Sequence, residues 1–187
     1  MCFICDGGTE EEAFSGEFVR IAVHGFTMLH VEASPPWTYT IGLLQSYDHP
    51  ELVMTGQPPD MTAELLTDVV EHIRQGERFD GSSAPLALCD CTSVAFGAVH
   101  PEQWTHGRFN QWLSYYDRLG EEPPVPDAVQ VLWPMGGLFP PDPEFCTKHR
   151  GTCQPLLDRE PRHDVHTGLN REQRRQAKRG HGKHRQR

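Results

Sequence analysis

The chain has 187 residues, six of them cysteine, and a formal net charge of −9. That length fits one domain of roughly 155 residues plus a tail, a body able to bury about two-thirds of its unfolded surface. No run approaches the roughly 20 apolar residues that a membrane-spanning helix needs. The opening MCFICDGGTEEE turns acidic where a secretory leader would be apolar, so a cytoplasmic location with reduced cysteines is expected.

The charge is unevenly spread. Residues 1–158 hold 7 Lys+Arg against 23 Asp+Glu, whereas residues 159–187 hold 10 against 3. The acidic body is a poor nonspecific binder of nucleic acid, and only the tail has the sign for it.

Thr9 followed by Glu12 is a capping-box pattern, which starts a helix near Glu10. Phe14, Phe18, Ile21 and Ala22 share its inner face, and Gly25 ends it. FTMLHVE (26–32) is extended, and Ser34-Pro35-Pro36 breaks it. WTYTIGL (37–43) reads as a strand from its β-branched and aromatic content, and ELVMTG (51–56) as a second. The short polar loop QSYDHP between them implies antiparallel pairing.

Asp60 is placed to cap a helix running to Arg74, with Leu65, Leu66, Val69, Val70 and Ile73 as its buried stripe. LALCDCTSVAFGAV (86–99) reads as one long strand, bent near Cys-Asp-Cys. Gln103–Leu119 has Phe109, Trp112, Leu113 and Tyr116 at helical spacing. After the proline-rich EEPPVP, AVQVLWP (128–134) is a further strand, and GGLFPPDPEF (136–145) a shaped loop. The expected fold is α+β: a mainly antiparallel sheet, or a small half-open barrel, flanked by about three helices. The domain spans 1–158. The tail, 159–187, is basic and mostly disordered, with a short helix at 170–179.

WTYTIGL, HPELVMTG, the helix ending IRQG, and the later AVQVLWP…QPLL run together resemble the domain-of-unknown-function family numbered 4262. The Met1-Cys2…Cys5 start is similar to many of its members. The resemblance covers roughly 1–157 and implies a bacterial source, but no reaction. Members often carry an acidic residue after the Trp-Pro of the last strand, where this chain has Met135-Gly136-Gly137.

Two constellations could carry chemistry. Cys2 and Cys5 have the spacing of two thiolates on one tetrahedral Zn²⁺, and Cys146, His149 and Cys153 could complete the site. The plainer reading is that reduced cysteines fill the core as small hydrophobes, as expected of Cys89 and Cys91. Zinc is the cofactor this pattern would suit; a flavin ranks behind it because no linear motif demands one. The second constellation is Thr38, Tyr39, Thr40 and Gly42 on the strand with His49 and Glu51 beyond it. Gly42 permits close approach, and His49 with Glu51 could bind a small polar ligand or act as acid and base. Against this, the threonines could simply satisfy an edge while His49 caps a turn. No nucleophile elbow, P-loop or dinucleotide fingerprint is present, so whether the chain is an enzyme stays open. Apart from a small molecule, the expected partners are a nucleic acid or an acidic protein, met through the tail alone. The tail lacks aromatics, so such contact would be backbone-directed and salt-sensitive.

Overall fold

The computed structural model describes residues 9–89, 92–105, 107–120, 127–135, 137–140 and 154–160. Its elements in chain order are α1 (Glu10–His24), β1 (Thr27–Val31), β2 (Trp37–Ile41), α2 (Leu43–Tyr47), β3 (Glu51–Thr55) and α3 (Pro59–Arg74). There follow β4 (Leu86–Cys89), β5 (Thr92–Ala98), α4 (Glu102–Thr105), α5 (Asn110–Leu119) and β6 (Ala128–Leu132). The strands form one open sheet in the order β1-β2-β3-β6-β5-β4. Every pairing is antiparallel except β3 with β6, where Glu51 stands beside Ala128. The fold is thus α+β with an open, mainly antiparallel sheet.

Each face of the sheet carries its own core. Side chains alternate across a strand, so Leu52 and Met54 of β3 meet one layer while Val53 meets the other. On the first face α3 lays down Leu65, Leu66, Val69, Val70 and Ile73, its period of 3.6 giving a continuous apolar stripe. On the second face Ile21 of α1 joins Trp104, Phe109, Trp112, Tyr115 and Tyr116 around Tyr39 and Ile41. Aromatic packing is dense there: the Trp104 and Phe109 rings stack at 4.0 Å, and Trp112 meets Trp104 edge-on at 4.8 Å.

Four local expectations need correction. The segment 86–99 is not one bent strand but an antiparallel hairpin, with Leu86 opposite Val94 and Cys89 opposite Thr92. Continuous β-type composition on both arms conceals the reversal. The helix expected over 103–119 is two helices, and Gly107, at φ +78°, lies in the break. That break rotates the second helix, so Trp112, Tyr115 and Tyr116 face inward while Leu113 is exposed. Asp60 does not cap α3. Pro58 occupies the cap and Pro59 the first turn, where a missing N–H costs nothing, and Asp60 sits at the positive end of the helix. Finally, QSYDHP is not a plain loop, because a five-residue helix, α2, precedes His49.

Residues Gln154–Leu157, part of the QPLL run, lie against β3 and β6 through side-chain amides. Gln154 Nε2 donates to the Val131 carbonyl at 2.9 Å, and its Oε1 accepts the Trp133 amide at 3.2 Å. Gln130 reciprocates, accepting the Leu157 amide at 2.8 Å and donating to the Pro155 carbonyl at 2.7 Å. Two buried glutamines therefore do the work of a strand ladder.

Candidate functional site

The chain leaves β2 at Gly42, whose φ of +108° turns it sharply into α2. A Cβ there would stand 2.9 Å from Ile21 Cγ2 and 3.0 Å from the Gly25 carbonyl, so both conformation and space require glycine. The first amides of α2 have no partner within their own helix. Glu51, opening β3, supplies it. Its Oε1 accepts the Gly42 amide at 2.9 Å and the Leu44 amide at 3.4 Å. Its Oε2 accepts the Thr40 hydroxyl at 2.7 Å and the Leu43 amide at 3.3 Å. The Trp112 indole N–H reaches Oε1 from α5 at 3.3 Å.

This carboxyl is fully buried, and among the described residues no cation pairs with it. Burial pushes its pKa up from the ordinary carboxylate value, and bonds from Thr40, Gly42, Leu44 and Leu43 pull in the opposite direction. Thr40 completes the junction by accepting the Leu52 amide at 2.8 Å.

His49 is equally buried. Nε2 faces the amide of Phe79, which can only donate, at 3.0 Å, and Nδ1 faces the Pro50 carbonyl, which can only accept, at 2.7 Å. The ring is therefore the neutral tautomer protonated on Nδ1. Desolvation lowers its pKa. Tyr39 accepts amide hydrogens from Gln111 and Trp112 at the start of α5, and burial raises its phenol well above the ordinary range. Thr38 shares a 2.8 Å hydrogen bond with His30 Nδ1.

Thr38, Tyr39, Thr40, Gly42, His49 and Glu51 are thus all buried, and the polar groups just described meet other parts of the fold. The loop around Gly137 is not near Glu51. Because β3 and β6 run parallel, Glu51 lies at one end of the sheet and the chain leaving β6 at the other. Sequence reasoning missed the donors that complete the cluster, above all Trp112, 61 residues from Glu51.

At that other end lies an open cleft. A cavity of about 490 Å³ is bordered by Ala87, Thr92, Ser93, Gly137 and Phe139. A second, of about 270 Å³, lies between α3 and the hairpin, bordered by Met61, Glu64, Asp68, Leu88 and Trp133. Both touch Cys89, Thr92 and Pro134. Cys89 is disulfide-bonded, which differs from the reduced thiol expected of it.

A family model described as Domain of unknown function (DUF4262) matches residues 20–146. The chain belongs to this family. The match begins within α1 and stops short of the QPLL run, so it is narrower than the resemblance over 1–157. No curated protein and no solved structure matches the chain.

Of the metal candidates, Cys2, Cys5, Cys146, His149 and Cys153 all lie outside the described residues, as do Cys91 and the expected tail helix. Among the described residues no group of three or more His, Cys, Asp or Glu is placed to hold a metal ion, and no helix is long and apolar enough to cross a membrane. Within this DUF4262 domain, the cleft at Thr92 and Pro134 is a place where described side chains border unfilled space large enough for a ligand.

Proposed function

We propose that the chain is a small-ligand-binding domain whose site is the cleft where the β4–β5 hairpin meets α3 and the chain leaving β6. The observation that carries this reading is the pair of cavities, about 490 and 270 Å³, that share Cys89, Thr92 and Pro134 in their linings. The larger falls within the usual range for small-molecule pockets, roughly 300–1,000 Å³. It also keeps the expectation that a ligand binds at strand ends, but moves it to the end opposite Glu51.

The lining indicates the ligand's chemistry. Leu65, Leu88, Trp133 and Phe139 give an apolar wall, the hydroxyls of Thr92 and Ser93 orient polar groups, and Glu64 and Asp68 add two carboxylates. An apolar body bearing an amine or several hydrogen-bond donors complements that set. Binding is favoured over catalysis for a specific reason. His49 and Glu51, the acid–base pair of the sequence reading, are held by internal hydrogen bonds, and Cys89 in its disulfide supplies no thiolate nucleophile.

A fragment screen by ligand-observed NMR on the full chain tests the reading, repeated on Ala87→Trp and Met61→Trp. Each substitution fills one cavity from an exposed position. Amine-bearing fragments should bind the parent chain and lose saturation transfer in one variant or both. Fragments that bind both variants as well as the parent would remove the cleft as the site.

A further inference from the structure

One guanidinium lies partly out of water with no anion beside it among the described residues. Arg108 follows Gly107 in the break between α4 and α5 and is half-buried. Its Nε donates to Gln103 Oε1 at 2.8 Å, and its Cζ lies over the Trp37 ring, 5.0 Å from the centroid. The Trp37 indole N–H returns a bond to the Arg108 carbonyl at 3.2 Å. Gln103 is itself buried and anchored, its Nε2 donating to the Arg159 carbonyl at 2.7 Å.

These contacts fix the plane of the guanidinium and consume Nε. The side-on mode of anion recognition, which uses Nε with one terminal nitrogen, is therefore closed. The end-on pair, Nη1 and Nη2, stays available, and among the described residues no carboxylate pairs with it. Burial alone lowers the pKa of this group, with no neighbouring charge acting on it. Taking a cation out of water without a counter-ion is costly, and a fixed fork of donors is the geometry that carboxylate and phosphate groups fit.

We propose that Arg108 anchors an oxyanion-binding site at this corner of the domain, taking a carboxylate or phosphate group end-on through Nη1 and Nη2. Trp37 and Gln103 are its positioning residues. The carbonyl of Arg159 holds Gln103, while the exposed Arg159 guanidinium lies 3.8 Å from the Asp158 carboxylate and is no part of the fork. The site is separate from the Thr92–Pro134 cleft, so either can fail without the other.

The test is a titration of the ¹⁵N-labelled full chain with inorganic phosphate and, separately, acetate, at constant ionic strength balanced by chloride. The readouts are the Arg108 Nε–H and Trp37 indole N–H resonances, assigned with Arg108→Gln and Trp37→Phe. At least one anion should shift both resonances along a saturable curve, with a Kd on the order of 1 mM. Saturation by phosphate alone or acetate alone identifies which oxyanion the fork takes. Arg108→Lys, which keeps the charge and loses the fork, should weaken binding about tenfold, as expected where bidentate geometry matters. It also serves as the test variant if Arg108→Gln does not fold. Linear shifts with both anions, shifts matched by chloride, or a Kd unchanged in Arg108→Lys would overturn the proposal.

Discussion

Trp112 on α5 extends its indole N–H across the sheet's second core to Glu51 Oε1, 3.3 Å away, and so joins the aromatic layer to the junction between β2, α2 and β3. Five donors converge on this one carboxyl, three of them backbone amides at the start of α2. An acidic group from another strand thereby fills the role that a local side-chain cap plays at most helix starts, here where Gly42 has no side chain to offer.

Glu51→Ala should therefore be strongly destabilising. It leaves buried donors unanswered as well as a cavity, a combination expected to cost about 3 kcal/mol or more. Glu51→Gln should cost less, because one oxygen remains and the Thr40 hydroxyl can reverse to accept from the new amide. The Leu43 amide, however, then faces a donor. Urea denaturation of both variants gives the ranking. Equal and negligible losses would show that the cluster contributes little to the fold.

His49 gives a pH dependence with a definite sign. Its folded pKa lies below the ordinary 6.5, so below that value the unfolded chain binds more protons than the folded one. The stability His49 contributes is present in full above about pH 6.5 and is lost as pH falls through the folded value. Glu51 works the other way. Its folded pKa is raised above 4.5, so its contribution is greatest below that value and declines as pH rises through the folded pKa. Urea midpoints measured from pH 4 to 8 on the parent chain and on His49→Gln separate the two, since the variant should lose the acid-side decline. An unchanged profile in His49→Gln would mean the imidazole is not the titrating group.

How far these features could be read in the sequence depends on the range of the interactions behind them. The α3 stripe from Leu65 to Ile73 was legible because one helix repeat carries it, and the antiparallel β2–β3 pair because composition and a short connection do. The small helix α2 was not. Leu43 is its only buried residue, and its start is held by Glu51, eight or nine residues away on another strand. His49 is the loop residue it looked like, but its burial was not legible because its second partner, the Phe79 amide, is 30 residues distant. The pairing of β3 with β6 across more than seventy residues leaves no local mark at all. The same six residues were singled out, but their burial reverses what alanine should do. A loop site predicts lost binding at constant stability, whereas a packed junction predicts lost stability.

The glutamine strap offers a further test. Gln130 makes three hydrogen bonds, to Thr55, Pro155 and Leu157, and Gln154 makes two to β6 and the residue after it. Gln130→Leu keeps the bulk but orphans the Leu157 amide and leaves the Pro155 carbonyl with the Thr55 hydroxyl alone, so a loss of about 2 kcal/mol is expected. Amide hydrogen exchange at Leu157 is the discriminating measurement, since it should accelerate more than exchange at Leu66 inside α3. Uniform acceleration at both would mean that the strap is no separate unit.

Gly42 concentrates both demands of the junction, a left-handed backbone and a close approach to α1. Gly42→Ala places a methyl group 2.9 Å from Ile21 Cγ2 at a φ of +108°, where an L-residue is strained whatever the space around it. Strain and overpacking each cost about 1–3 kcal/mol in such settings, so a combined loss of at least about 2 kcal/mol is expected. Gly76 is the internal control. It has a comparable φ of +95°, but a Cβ there meets nothing within 4 Å, so Gly76→Ala isolates the backbone contribution. The difference in urea midpoint between the two variants then measures the contact with Ile21 and the Gly25 carbonyl. Identical midpoints would show that α1 yields to the methyl group and that Gly42 is required by its conformation alone.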